Sequence, residues 1–421
     1  MINDHVLTKF APFGDRLLRP IYRDYSFANL PATLHFLLTG ETIGNLLPAD
    51  CFGGCYPRPK KIVLLFVDSF GWRFWQRYAE RSTLMRRVID EGVLTPISAL
   101  FPSTTAASVS TLNLGSLPSQ HGMFEWNLYV PAVGETIQSL PFSTLGKDAV
   151  SCLTMGHDVN AMVANQETMH HRLTRRGVRS IQLSNRNYAF SPYNSVVSAG
   201  AEIVAHRTLP EALVQLEEIL AGPCDKALIN LYWAGLDSAA HIFGPNSPVH
   251  EAEVTSFWLT VDALLGELKS KGTMLLITAD HGQVGAKAKD TVYVNEVYPE
   301  LNDCLAKSSQ GRIILPNGSP RDMFLHVEPN RRAEVLTILQ EGLGDTATVL
   351  TVDDAIDEGL FGENSIAPER RCRLGDILVL PYAGHFIWWR EDGVMDNGLF
   401  GHHGGLADEE LITVAGVLNS L

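Results

Sequence analysis

A chain of 421 residues, 45% of them hydrophobic, can bury one large core or two to three ordinary ones, which excludes a disordered or fibrous protein. A formal net charge of −14 without a basic stripe argues against a nucleic-acid polymer as partner. No apolar stretch is long enough to cross a bilayer, so no membrane partner is expected.

The first twenty residues lack the basic segment, apolar core and small-residue cleavage site of a signal peptide. The six cysteines (51, 55, 152, 224, 304 and 372) are scattered, and the close pair Cys51 and Cys55 has no second pair to complete a metal cage. They read as free thiols in a reducing compartment, so the expected location is cytoplasmic. Residues 1–58 carry a helical pattern from Leu30 to Leu38, with Pro31 at its start, and a Gly/Pro-rich exit. They hold no catalytic pattern and are expected to wrap on the core as an N-terminal extension.

Lys61 to Val67, KIVLLFV, reads as a strand buried on both faces, with Asp68 at its end. That acid serves equally as a ligand at the sheet edge or as an N-cap for the helix from Gly71. In Leu100 to Gly115, Ser103 or Thr104 caps a helix that begins near Thr105 and stops at Leu114-Gly115. A hydroxyl in the first turn faces unpaired N–H groups and the positive end of the helix dipole, a good seat for a phosphorylated side chain; the plain alternative is a run of caps. In QHGMFEWNLYV, Asn127 is expected as a buried amide that binds backbone or a substrate oxygen, and Phe124, Trp126 and Tyr129 form an aromatic cluster. His157, His170 and His171 lack ligand spacing and read as surface or structural residues.

Ala227 to Tyr232 is another buried strand, followed by Asp237 and His241, which a helical turn puts on one face as metal ligands or as an ordinary i,i+4 pair. Ser247-Pro248 opens a helix with Val254, Phe257, Val261, Leu264 and Leu268 at helical spacing. It leads to Thr273–Gln283, TMLLITADHGQ, where a buried strand ends in adjacent Asp280 and His281. The C-terminal edge of an open α/β sheet is where ligands bind, and Gly282 turns the backbone away without a side chain. Residues 284–398 alternate strands (322–327, 347–351, 376–380 and 386–389) with helices (331–341 and 352–358), as an α+β cap insertion would. Trp388 and Trp389 belong to its core and edge. In HHGG, one of His402 and His403 is expected to be a ligand, ahead of a last strand from Leu411 to Leu418.

Asp68, Asp237, His241, Asp280, His281 and His403 thus lie in four segments, nearly all at strand ends or in the loops after them. Two sets of three oxygen and nitrogen ligands suit two divalent ions, zinc with manganese as the alternative, better than magnesium. The motif order FVDSFGW, FPSTTAAS, HGMFEWN, LDSAAH, TADHG and HHGG resembles the alkaline phosphatase superfamily, and within it the type I phosphodiesterase/nucleotide pyrophosphatase family. The resemblance implies that Asp237, His241 and His403 hold one ion, and that Asp68, Asp280 and His281 hold the other together with the oxygen of a nucleophile at Thr105. It implies a phosphorylated or nucleotidylated threonine formed from a small phosphate ester, with two in-line displacements giving net retention. His402 becomes an outer residue behind the ligands. The family's substrate-binding asparagine falls on Trp126 in an ungapped match, one place from Asn127.

The expected fold is a doubly wound α/β/α sandwich with a mixed, mainly parallel sheet: an extension (1–58), a catalytic core (59–283 and 399–421) and the 284–398 insertion. The expected function is a two-metal phosphodiesterase or nucleotide pyrophosphatase. A phosphomonoesterase or phosphomutase of the same superfamily is the alternative, and a non-catalytic binding protein the third reading.

Overall fold

Seven runs of strand-forming residues pair into one central sheet: β1 (Lys61–Val67), β2 (Val93–Ser98), β3 (Arg179–Asn185), β4 (Glu202–His206), β5 (Ala227–Trp233), β6 (Thr273–Thr278) and β7 (Ile412–Leu418). The structure is a computed structural model and describes residues 1–163, 166–223, 225–266, 270–362 and 365–419, so Leu268 and Cys224 lie outside the described residues. The spatial order is β2–β7–β6–β1–β5–β3–β4. The pairs β6–β1, β1–β5, β5–β3 and β3–β4 are parallel, and β7 runs antiparallel to β6 and β2.

Parallel strands need crossover helices, so both faces are covered and the strands lose the alternation of a half-solvated sheet. Accordingly β6 is buried at every residue, and β1 at every residue but the first. Helices Leu30–Thr39, Thr105–Leu114 and Met169–Thr174 contact one another in one layer. Pro248–Leu265 contacts Leu209–Ala221 and Thr83–Glu91 in the other. The signals at helix ends act as expected: Ser247 caps Pro248–Leu265, and Thr104 caps Thr105–Leu114, which ends on left-handed Gly115.

Register delivers the site. Lys61 on β1 sits opposite both Ala227 on β5 and Thr273 on β6, so the three strands start level. Phe66 faces Tyr232 and Thr278, so they also end level. Asp68, the segment after Trp233, and Asp280 therefore leave the sheet along one edge.

Val6, Phe10, Phe27 and Leu34 from the first 58 residues are buried in the main core. In the 284–398 region, Met323–Leu325, Ile377–Pro381 and Ala347–Thr351 form an antiparallel sheet of their own. Its two faces differ: Phe324, Leu378 and Leu380 join the main core, while Met323, Leu325, Ile377 and Val379 pack a second core with Trp388 and Trp389. The strand expected over 322–327 narrows to Met323–Leu325, and the one expected over 386–389 narrows to Ile387–Trp388, paired with Val292–Tyr293. Among the described residues the cysteines are free, and no helix is long and apolar enough to cross a membrane.

Candidate metal and phosphate site

At the end of β1 the chain turns sharply, with Ser69 in the left-handed region at φ 61°. The turn sends the Ser69 N–H to Asp280 Oδ1 at 3.1 Å. Asp68 caps nothing, since the helix Trp72–Tyr78 starts at Gly71 without a side-chain cap. Its carboxylate instead takes a short hydrogen bond on Oδ2 from the Tyr232 hydroxyl and lies beside Thr105. The Ser/Thr run divides its work: Ser103 binds the glycine loop, Thr104 caps the helix, and the Thr105 hydroxyl is left in the first turn. Thr105 Oγ1 is 3.3 Å from His281 Nε2 and 3.4–3.5 Å from the Asp68 oxygens.

Each of the three expected histidines directs Nδ1 at a backbone carbonyl: His241 at Gly401 (2.6 Å), His281 at Gly282 (2.9 Å) and His403 at Ser103 (3.0 Å). Donation from Nδ1 fixes the tautomer and leaves the Nε2 lone pair free, as metal-ligating histidines require. Asp280 is arranged alike. Its Oδ1 accepts from the N–H groups of Ser69 and His281. Its Oδ2 is buried without a partner, 3.3 Å from His281 Nε2. An orphaned carboxylate oxygen beside a lone pair fits a cation. Asp68, Asp280 and His281 bring one ligand atom each to within 4.8 Å of one another, and so do Asp237, His281 and His403. His241 Nε2 approaches Asp237 Oδ2 to 3.3 Å, and His403 Nε2 lies 3.8 Å from Asp237 Oδ1. The six expected ligands thus lie close together, but the second group has His281 where His241 was expected, and His241 joins it only through Asp237.

Charge follows this crowding. Burial, then the neighbouring Asp280 and Asp237, push Asp68 well above the usual carboxylate range. Burial also opposes ionisation of Asp237, but His241, His403 and His281 outweigh it and hold that carboxyl low. His403 is kept neutral by burial and by His281. The side chains of Asp280 and His281 are fully buried, whereas His241 keeps 20% exposure, so access is from the Asp237–His241 side.

The remaining expectations divide. His402 Nε2 pairs with Asn397 Oδ1 at 2.8 Å, and its ring lies edge-on to His241. Asn127 is partly exposed rather than buried, and it donates from Nδ2 to the Gly318 carbonyl at 3.0 Å. Phe124 and Tyr129 are buried against Phe361 and His326, and of that cluster Trp126 is open, at 43% exposure. His170 is buried and structural, held by Ser180 and Asn113. The role of Gly282 also differs. A Cβ there would sit 2.0 Å from the Glu409 carbonyl oxygen, so close backbone approach requires the glycine.

Several supports were invisible in the sequence. Tyr232 donates to Asp68, and Gln283 Nε2 donates to Asp237 Oδ1 at 3.4 Å. Ser103 bonds Gly404 and Gly405 through its hydroxyl. Arg321 and Glu410 form a fully buried bidentate pair, and Glu410 also accepts from Gly405 and Ala407. Glu125 and Asp322 are two buried carboxyls close enough to shift each other's protonation.

No curated protein matches the chain. Among solved structures, murine ectonucleotide pyrophosphatase / phosphodiesterase 5 superimposes with TM-score 0.62 at 16% identity, covering 84% of this chain and 87% of that one. An inactive threonine-to-alanine variant of the same murine protein, in complex with AMP, gives 0.60 at 16% identity over 85% and 87%. Phosphonoacetate hydrolase from Sinorhizobium meliloti 1021, in complex with phosphonoacetate, gives 0.59 at 18% identity over 87% and 92%. These likenesses establish the fold. Residues 62–406, most of the chain, match the family described as Type I phosphodiesterase / nucleotide pyrophosphatase, and the chain belongs to that family.

Proposed function

We propose that the protein is a two-metal phosphohydrolase of phosphodiester or phosphoanhydride bonds, with Thr105 as the nucleophile. The observation that carries this reading is the Thr105 hydroxyl, in the first turn of its helix, within 3.5 Å of both Asp68 oxygens and of His281 Nε2. Asp68, Asp280 and His281 would hold one ion, and Asp237, His241 and His403 the other, with zinc as the expected metal and manganese as the alternative. Bound divalent ions would acidify the hydroxyl and neutralise charge on the phosphoryl group.

The chain's own groups supply the rest. The helix N-terminus directs N–H groups and the positive end of its dipole at the phosphoryl oxygens. Thr105 Oγ1 loses its proton to solvent water and bonds to phosphorus as the bond to the leaving oxygen breaks; the leaving group departs with the bonding pair and takes a proton from solvent, leaving a phosphothreonine ester. Water then displaces Thr105 from the opposite face. The buried carbonyl contacts of the three histidines keep their Nε2 atoms aimed inward throughout. The AMP complex of the murine relative, formed with an inactive threonine-to-alanine variant, supports a nucleotide-like substrate and a functional threonine.

The test compares hydrolysis of bis(p-nitrophenyl) phosphate and p-nitrophenyl phosphate by zinc-loaded, manganese-loaded and chelator-stripped protein, with Thr105→Ala as control. A metal- and Thr105-dependent preference for the diester is expected. A preference for the monoester would replace the reading with a phosphatase or mutase, and activity that survives Thr105→Ala would sink the nucleophile assignment.

A further inference from the structure

We infer that Tyr232 is a positioning residue, whose hydroxyl holds one oxygen of Asp68 so that the other is presented to an ion. The inference rests on the two-metal reading above. Tyr232 stands next to last on β5, directly opposite Phe66 on β1, two residues before Asp68. The Asp68 N–H extends that ladder by bonding the Trp233 carbonyl at 3.0 Å, which sets Asp68 beside the end of β5. The Tyr232 ring is held edge-on by Phe66 (5.2 Å, 78°) and by Tyr188 (5.9 Å, 67°), so its hydroxyl has a fixed aim. It donates its one proton to Asp68 Oδ2 in a short hydrogen bond. Asp68 Oδ1, 3.7 Å from His281 Nε2, is the oxygen left facing the ligand set.

The same division recurs around it. Asp280 has Oδ1 anchored by two backbone N–H groups and Oδ2 free, and each histidine has Nδ1 anchored and Nε2 free. For those ligands the anchor is backbone and cannot be removed by substitution. For Asp68 it is a side chain. Without it the carboxylate would be free to rotate, and Oδ2, 3.4 Å from Thr105 Oγ1, would compete for the nucleophile's hydrogen. Outer partners of this kind typically change metal affinity by about 10–100-fold.

Tyr232→Phe removes only the hydroxyl, and the full chain can be titrated with cobalt(II) or zinc after chelation. Wild type should bind two ions. In Tyr232→Phe one of the two should weaken by about 10–100-fold, the other should not, and diester hydrolysis should recover at excess metal. Tyr188→Phe, which keeps the ring contact and makes no bond to Asp68, should bind both ions as wild type does. In an Asp68→Ala background Tyr232→Phe should add no further loss, because its partner is gone. Unchanged affinity for both ions, or an equal added loss without Asp68, overturns the assignment of Tyr232. If wild type binds no ion, the two-metal reading itself fails.

Discussion

Replacing Arg321 by methionine tests how the 284–398 region holds the His403 loop. Arg321 and Glu410 are fully buried, joined by bonds of 3.0 and 2.9 Å, and Arg321 Nη1 also donates to the carbonyls of Tyr382 and His385. Glu410 caps the N–H groups of Gly405 and Ala407, so the pair fixes the segment just after His403. Methionine fills much of the space but leaves the Glu410 carboxylate buried without a counter-charge, at a cost of about 3–5 kcal/mol. Unfolding entropy near 2.1 cal/mol/K per residue gives about 0.9 kcal/mol per degree for 421 residues, so Tm should fall by about 3–6 °C. Differential scanning calorimetry of the chelated protein measures this directly. The double variant Arg321→Met/Glu410→Leu removes both charges and should lose less than the sum of the two single variants. A shift under about 1 °C for Arg321→Met, or strict additivity in the double variant, would refute the reasoning.

Gly282→Ala should displace Asp280 and His281, because the added Cβ meets the Glu409 carbonyl at 2.0 Å; Gly398→Ala, with nothing within 4 Å, should be silent. Thermal melts and metal titrations of the two variants make the comparison, and a normal Gly282→Ala would contradict the close approach. Zinc at a hundred times its Kd should stabilise the protein by about 2.7 kcal/mol per ion, hence raise Tm by about 3 °C for one ion and about 6 °C for two. An unmoved melt would count against both sites. In chelated protein, burial holds Glu125 up at about 7 although the Asp322 contact works to lower it, and burial and then Glu125 raise Asp322. A carboxyl raised in the folded state binds its proton more tightly there than in the unfolded chain. Its stabilising effect is therefore full below the ordinary value of 4.5 and is lost as pH rises through about 7. Glu125→Gln, which removes the titrating carboxyl, should flatten that decline in a series of melts against pH, and an unchanged slope would remove Glu125 from the account.

The buried strands at Lys61–Val67, Ala227–Trp233 and Thr273–Thr278 were legible in the sequence, because strands covered on both faces are continuous apolar runs whatever their neighbours. The helix at Thr105–Leu114 was legible for a similar reason, since a capping threonine and a left-handed glycine act on their own backbone. Asp68, Asp237, His241, Asp280, His281 and His403 stood out because strand ends and helical spacing are local too. What joins them is not local. Strand order and register decide that Tyr232 reaches Asp68, that Ser103 binds the loop of Gly404 and Gly405, and that His281 lies close to both Asp68 and Asp237. The same holds for Arg321 with Glu410 and for Glu125 with Asp322, where residues from 284–398 meet the rest of the chain. For Asn127 the residue type left backbone and substrate both open as partners, and the packed chain supplies a backbone one, the Gly318 carbonyl. Residue type and spacing determine which side chains can bind a metal or a phosphate; only the packed chain decides which of their atoms are already taken by a neighbour and which remain free.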